Sequence, residues 1–215
     1  MKKLKKVDVL EVKKCFVISQ LIRKQKFNEV FVGKFSLKPR KRFLRTTTLE
    51  DFKERLKIAK IEVSAMPEEE LDKLIRDEYR KRLVAFDKSD WFLGEIKPSE
   101  SGVWRRAGNL PLGWTNGSLE ETAQKVGHAI NIRSRNLISR AKHVVQNILK
   151  LNTHIIQNEK YLLPIVFKGN TGTRGRRRLK KQMKYDIDDG CMRSIALTIS
   201  GVKSIKAYIG FPKKS

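Results

Sequence analysis

The sequence contains only two cysteines, Cys15 and Cys191, in 215 residues. They lie too far apart to form a zinc-binding pattern, and they do not make the disulfide framework of a small secreted domain. The sequence also has no run of about 18 apolar residues, which excludes an ordinary membrane-spanning helix. Its basic N-terminus leads into charged sequence rather than an apolar segment, so a secretory signal is not expected. These absences predict a protein of the reducing cytoplasm that has no membrane partner.

Acidic residues are scarce as well. Only 23 Asp and Glu oppose 48 Lys and Arg, which gives a formal net charge of +25 and a pI near 10.3. This excess is far larger than solubility requires, and it indicates a polyanionic partner. No basic segment has the clean amphipathic pattern that binding to a lipid surface needs. Aromatic residues make up 8% of the chain and form no base-stacking motif, which argues against a single-stranded RNA binder. Double-stranded DNA is therefore the expected partner.

The length and the 40% hydrophobic content predict one domain over residues 1–215, with a core of its own. The glycine-rich segment 98–118 is expected to be a long functional or mobile loop. Alternating helical and strand patterns predict an α/β fold with a mixed central sheet flanked by helices. The predicted helices cover 9–23, 49–60, 66–77, 119–151 (with a break near 127–133) and 186–199, and the predicted strands cover 30–32, 82–86, 91–96, 161–167 and 204–211.

The most informative segment is Glu95-Ile96-Lys97, which closes an apolar stretch beginning at Trp91. Glu95 and Lys97 are two residues apart, so their side chains point to the same face of a strand. A carboxylate beside an ammonium group at the end of a buried strand is costly unless both have a task. Phosphodiester hydrolysis supplies one, because the carboxylate can hold Mg²⁺ while the ammonium group orients water or offsets phosphate charge. A surface ion pair is the alternative interpretation.

Two further segments extend this pattern. After the glycine-rich loop comes Gly127-His128-Ala129-Ile130-Asn131-Ile132-Arg133-Ser134, and later the apolar run 163–167 ends in Lys168-Gly169. Over residues 77–170 this order resembles the PD-(D/E)XK restriction endonucleases, in the branch of EcoRI and MunI. In that branch a hairpin ends in Glu-x-Lys, a helix opens with Gly-Asn-Ala-x-Glu-Arg-Ser, and a strand ends in Phe-x-Glu-Gly. The Glu-Arg pair that reads bases in that branch has no clean match here.

The resemblance implies a restriction-endonuclease-like fold and a type II restriction endonuclease. Such an enzyme would act as a homodimer and hydrolyse a specific, palindromic double-stranded DNA site with Mg²⁺. Asp77, Glu95 and Lys97 would be catalytic, and Asp77, Glu95 and the backbone carbonyl of Ile96 would hold the metal. Asp77 has the spacing of the first metal-binding aspartate of the family, although it could equally be a solvated residue at a helix end. Asp87 is the weaker metal candidate, because the predicted hairpin places it in the turn, far from Glu95.

The candidate DNA-binding residues lie in three segments. Arginine reads guanine or clamps phosphate, and asparagine reads adenine. A uniformly basic run, here the start of a basic C-terminal part over 171–215, is suited to phosphate contact. The candidates are Arg105 and Arg106 in the loop, His128, Asn131, Arg133 and Arg135 near the predicted recognition helix, and Arg174, Arg176, Arg177 and Arg178 in the basic run.

Two other functions remain open from the sequence. The cluster Asp186-Ile187-Asp188-Asp189 resembles the Asp-x-Asp-Asn helix start of RusA-type Holliday-junction resolvases, although the later acidic pair of that family is missing. These aspartates could instead simply cap the predicted helix 186–199. A non-catalytic basic DNA- or RNA-binding protein would explain the charge, but it would leave Glu95 and Lys97 without a role.

Overall fold

Strands and helices are interspersed along the chain in the computed structural model, which describes residues 5–22, 49–132, 145–146, 153–169 and 183–213. The strands are β1 (Lys5–Val7), β2 (Ser89–Ile96), β3 (Ser101–Gly102), β4 (Ile165–Lys168), β5 (Tyr185–Asp189) and β6 (Ile205–Pro212). The helices are α1 (Val9–Leu21), α2 (Leu49–Ala65), α3 (Glu68–Asp87), α4 (Leu119–Asn131), α5 (Thr153–Asn158) and α6 (Cys191–Ile199). Within the described residues, no helix is long and apolar enough to cross a membrane.

The six strands form one mixed sheet in the order β1-β2-β6-β4-β5-β3. Strand β2 lies antiparallel between β1 and β6, and β6 runs parallel to β4. Strand β5 is antiparallel to β4 and parallel to the short edge strand β3. The predicted mixed α/β architecture, with a central sheet flanked by helices, is therefore confirmed.

The strand register assigns side chains to the two faces of the sheet. Directly paired residues of neighbouring strands share a face. Trp91 and Glu95 of β2 therefore lie on the same face as their partners Gly210 and Lys206 of β6. An added Cβ at Gly210 would lie only 2.9 Å from the Trp91 ring, so glycine is needed there to leave room for the indole.

Helix α1 covers this face, which we call the α1 face. Near the start of α1, the Tyr208 hydroxyl of β6 donates a hydrogen bond to the Glu11 carboxylate. Near its end, Ser19 and Gln20 donate to the Asp189 carboxylate of β5, at 2.8 and 3.0 Å. Helix α1 thus crosses the sheet from β6 to β5 and is tied to both strands.

Aromatic side chains fill the space between α1, α3 and the sheet. The ring centroids of Phe16 and Phe86 lie 5.7 Å apart, those of Phe86 and Trp91 5.6 Å, and those of Trp91 and Phe167 5.2 Å. These edge-to-face contacts join α1, α3, β2 and β4. They form the centre of the core and hold β2 rigidly at its N-terminal end.

The predicted strand 82–86 and the hairpin built on it were wrong. These residues form the last turns of α3, and β2 pairs with β1 and β6 instead. A short apolar run fits a buried strand and a helix equally well by periodicity. Here Leu83 and Phe86, three residues apart, are buried, whereas Val84 is 46% exposed, which is the pattern of an amphipathic helix.

Two other predicted segments also differ from the structure. The predicted helix 186–199 is divided: its first residues belong to β5, and α6 follows Gly190, whose φ of 87° suits glycine. The predicted loop 98–118 is ordered by three short 3₁₀ turns and by β3. The predicted strand 30–32 and most of the second half of the predicted helix 119–151 lie outside the described residues.

Candidate functional site at the end of strand β2

Glu95 and Lys97 lie at the C-terminal end of β2, as the sequence predicted. Glu95 is half-buried, and the Ile96 side chain after it is fully buried on the opposite face of the sheet. Lys97 follows the strand with extended backbone angles (φ −90°, ψ 138°), so the alternation of β2 continues and brings its exposed side chain to the α1 face. The carboxylate and the ammonium group therefore share one face at one end of the sheet.

Strand β6 brings two further polar residues to this place. The Ser204 hydroxyl donates a 2.6 Å hydrogen bond to Glu95 Oε2. Lys206 is paired directly with Glu95 in the ladder, and its ammonium group donates a 2.9 Å hydrogen bond to Asn158 Oδ1 at the end of α5. Sequence reasoning missed both residues. The polar–apolar–polar pattern Ser204-Ile205-Lys206 at the start of the last predicted strand was the signal that could have found them.

The resulting group, which we call the β2-end cluster, consists of Glu95, Lys97, Ser204 and Lys206. It combines one carboxylate, one hydroxyl and two ammonium groups at an accessible sheet end. A carboxylate is a ligand suited to Mg²⁺, which commonly uses one or two protein carboxylates and completes its shell with phosphate oxygens and water. Among the described residues, no group of three or more His, Cys, Asp and Glu side chains could hold a metal ion. The cluster therefore fits a metal shared with a phosphate substrate rather than an all-protein cage.

Asp77 lies on the exposed surface of α3, ten residues before the end of that helix. Helix α3 packs mainly against α1, while β2 has its main contacts with β1, β6 and α1. The predicted hairpin that would have tied Asp77 to Glu95 is absent from this part of the described chain. The sharing of one metal ion by Asp77 and Glu95 therefore stays a prediction.

Asp87 belongs to a group of carboxylates that surround the ammonium group of Lys13. It is the last residue of α3, and its carboxylate lies 3.0 Å from the ammonium group of Lys13, which also pairs with Asp72 at 2.7 Å and with Glu68 at 3.0 Å. Burial would lower the pKa of Lys13, but the hydrogen bonds that its ammonium group donates to the carboxylates of Asp72, Asp87 and Glu68 outweigh burial and raise it. Asp87 adjoins the start of β2, at the opposite end from Glu95, and its role there is to neutralise a buried lysine.

Two of the predicted DNA-binding arginines are presented by the ordered loop. Arg105 and Arg106 are exposed, and Arg106 has a left-handed backbone (φ 57°) that is held by a hydrogen bond from its N–H to Thr115 Oγ1, at 2.8 Å. The preceding Trp104 donates from its indole to the Asp188 carbonyl at 3.0 Å, which anchors the loop to β5. The structure thus holds both arginines at a defined surface position.

Helix α4 departs from the pattern expected of a recognition helix. It begins at Leu119 after a Ser118 cap that accepts from the Glu121 N–H, and His128 and Asn131 lie exposed in its last turn rather than at its start. The remaining predicted DNA-binding residues lie outside the described residues. They are Arg133, Arg135, Arg174, Arg176, Arg177 and Arg178.

The aspartates of β5 form a second charged cluster, but this cluster is buried away from solvent. Asp186, Asp188 and Asp189 are each only 4% exposed. The Arg82 guanidinium of α3 donates to the Asp188 carboxylate, and the Arg193 guanidinium of α6 donates to Asp189 at 2.9 Å. These carboxylates hold the helices onto the sheet. They lie on a strand, so the expected resolvase-like helix start, and its alternative as a helix cap, do not match their position.

Comparisons of the chain with protein-family models, with curated proteins and with solved structures found no significant match. The β2-end cluster and the charge of the chain are therefore the features that bear on function.

Proposed function

We propose that the protein is a Mg²⁺-dependent endonuclease that hydrolyses phosphodiester bonds in double-stranded DNA at the β2-end cluster. The observation that carries the proposal is that Glu95 shares one face and one end of the sheet with Lys97 and Lys206. A carboxylate on the same sheet face as two lysines suits a site that must hold both a cation and a phosphate. The net charge of +25 independently favours a polyanionic substrate.

Glu95 and Lys97 have distinct roles in this proposal. Glu95 and the Ile96 carbonyl would hold the ion, with Asp77 as a further ligand. When bound, Mg²⁺ would polarise a phosphate oxygen and make a bound water more acidic. The exposed ammonium group of Lys97 would orient the attacking water and offset the negative charge that develops on the phosphate in the transition state.

The finer proposal is a type II restriction endonuclease with a restriction-endonuclease-like sheet. A two-fold symmetric homodimer would cut each strand of a palindrome once. Arg105 and Arg106 would contact the DNA backbone, and the residues near the end of α4 would contact base edges. The supports for this finer proposal are the Glu95-x-Lys97 motif at a strand end, the buried apolar strand β4 and the order of these segments along the chain.

A plasmid digest tests the proposal. Wild-type protein with Mg²⁺ should give discrete fragments, and a chelator should abolish them. Intact plasmid would indicate a non-catalytic DNA-binding protein, and nicking restricted to four-way junctions would indicate a resolvase. Either result would overturn the proposal.

Variants then test the assigned site. Glu95→Ala and Lys97→Ala should each lose about 10³-fold or more in cleavage rate, because several kcal/mol of barrier lowering disappears, while DNA binding is retained. Glu62→Ala and Lys53→Ala are matched controls, since both residues are exposed on α2. Wild-type cleavage by Glu95→Ala or Lys97→Ala would place the active site elsewhere.

A further inference from the structure

The hydrogen bond between Ser204 and Glu95 joins two segments that lie 109 residues apart in the sequence. At 2.6 Å it has the length expected of a hydroxyl that donates to an ionised carboxylate. Ser204 directly precedes β6, and the next residue, Ile205, pairs with Ile96 in the ladder. Both isoleucines are fully buried, so the backbone on each side of the hydrogen bond is held in place.

This arrangement restricts the Glu95 side chain. A glutamate has three side-chain torsions, and an unrestrained carboxylate at a sheet end samples several rotamers. A hydroxyl fixed by the neighbouring strand selects the rotamer in which Oε2 lies against Ser204. The direct neighbour of Glu95, Lys206, is turned toward Asn158 by its own hydrogen bond at 2.9 Å.

We infer that Ser204 is a positioning residue for Glu95, which orients the carboxylate for a divalent cation and so lowers the metal concentration that the site requires. The inference rests on the proposed function, because it assumes that Glu95 is a metal ligand. Hydrogen-bond partners of metal-binding carboxylates typically contribute 10–100-fold to metal affinity. Ser204 itself contacts neither the ion nor the phosphate in this proposal.

Binding of Mn²⁺ alone to the full-length protein, followed by isothermal titration or by electron paramagnetic resonance up to millimolar concentrations, tests the inference without any cleavage. The site is defined as the Mn²⁺ binding that Glu95→Ala removes. Ser204→Ala should weaken that binding by about 10–100-fold. Ser204→Thr keeps the hydroxyl and should restore it.

Ser200→Ala is the matched control. The Ser200 hydroxyl donates to the Ala196 carbonyl at 3.0 Å, so this variant also removes one serine hydrogen bond close to β6, but away from Glu95. It should bind Mn²⁺ like the wild type. In a cleavage assay, Ser204→Ala should raise the half-saturating Mg²⁺ concentration by the same factor and approach the wild-type rate at saturation, which a merely structural defect would not produce. Urea unfolding verifies that each variant is folded.

The outcomes separate the inference from the proposed function. If Glu95→Ala abolishes Mn²⁺ binding but Ser204→Ala binds like the wild type, Ser204 has no positioning role, although the metal site survives. If Ser204→Thr is as weak as Ser204→Ala, the hydroxyl is not the responsible group, and the inference also fails. If the wild type binds no Mn²⁺, or if Glu95→Ala binds it normally, then Glu95 is not a metal ligand, and the proposed function and the inference fail together.

Discussion

Replacing Arg82 with methionine should lower the free energy of unfolding by about 3–5 kcal/mol, the usual cost of removing one partner of a buried ion pair. Arg82 Nε donates to Asp188 Oδ2 at 2.5 Å, and Nη2 donates to the Asp188 carbonyl at 3.1 Å. The side chains are 14% and 2% exposed, so this pair differs from surface ion pairs, which contribute only about 0–1 kcal/mol. The substitution would remove the Arg82 guanidinium from a buried carboxylate.

The geometry also explains why methionine is the informative replacement. The guanidinium carbon of Arg82 lies 4.8 Å from the Phe16 ring centroid and 5.1 Å from that of Tyr79. A thioether also packs favourably against aromatic rings, so most of the apolar contact is retained. Burial would lower the pKa of Arg82, but the Asp188 and Asp189 charges outweigh burial and raise it, so it is the charged form whose loss is measured.

Urea unfolding followed by far-ultraviolet circular dichroism measures the effect. Arg80→Met is the control, since Arg80 is exposed on the same helix and should change stability by less than about 0.5 kcal/mol. Asp188→Asn should also destabilise, and the double variant Arg82→Met/Asp188→Asn should cost clearly less than the sum of the single variants. A loss below about 1 kcal/mol for Arg82→Met, or strictly additive losses, would refute the argument that this pair fastens α3 to β5.

Three further predictions follow from individual side chains. Burial raises the pKa of the Cys15 thiol, so the free energy of unfolding should be constant below the ordinary thiol pKa of about 8.5 and should fall above it by up to about 1.4 kcal/mol per pH unit. Cys15→Ala should remove this slope when urea unfolding is measured at rising pH. Asp77→Asn should abolish cleavage, whereas Asp87→Asn should keep cleavage and lose stability, because Asp87 neutralises a buried lysine; the reverse result would exchange their roles. Arg133→Ala should cost about 1–3 kcal/mol on cognate DNA and little on scrambled DNA, whereas Arg177→Ala should weaken both and reduce the salt slope by about one, as salt titrations by fluorescence anisotropy in Ca²⁺ would show.

Local pattern was sufficient to predict several elements of the fold. The periodicity of 9–23 predicted α1, and the alternating apolar runs near 91–96 and 204–211 predicted β2 and β6. The order of the strands could not be predicted in the same way. Strand β6 lies between β2 and β4 although it is the last in the chain, and such pairing depends on contacts between residues about a hundred positions apart. The Ser204–Glu95 hydrogen bond could not be predicted either, because its two residues lie 109 positions apart.

The β5 aspartates show a second limit of sequence reasoning. Burying a carboxylate is unfavourable unless it is paired, and the sequence placed these three aspartates at the start of a helix rather than on a buried strand. The structure buries Asp188 beside Arg82 of α3, and it buries Asp189 beside Arg193 of α6. Only one of these partners, Arg193, lies close to the aspartates in sequence, and its spacing of four residues from Asp189 has little meaning until the strand and the helix are known.

A catalytic site must be accessible to its substrate, and the two charged clusters differ in how accessible their side chains are. The β5 carboxylates are almost completely removed from water, and two guanidinium groups face them, so a metal or a phosphate could enter only by displacing contacts that hold three helices to the sheet. In the β2-end cluster, by contrast, Glu95 is half-buried and both lysines are exposed. Their positions come from the β2–β6 ladder, so a ligand can bind there without a rearrangement of the core. Rigid backbone with accessible charge is the combination that electrostatic catalysis requires, and it favours the end of β2 over the larger acidic cluster.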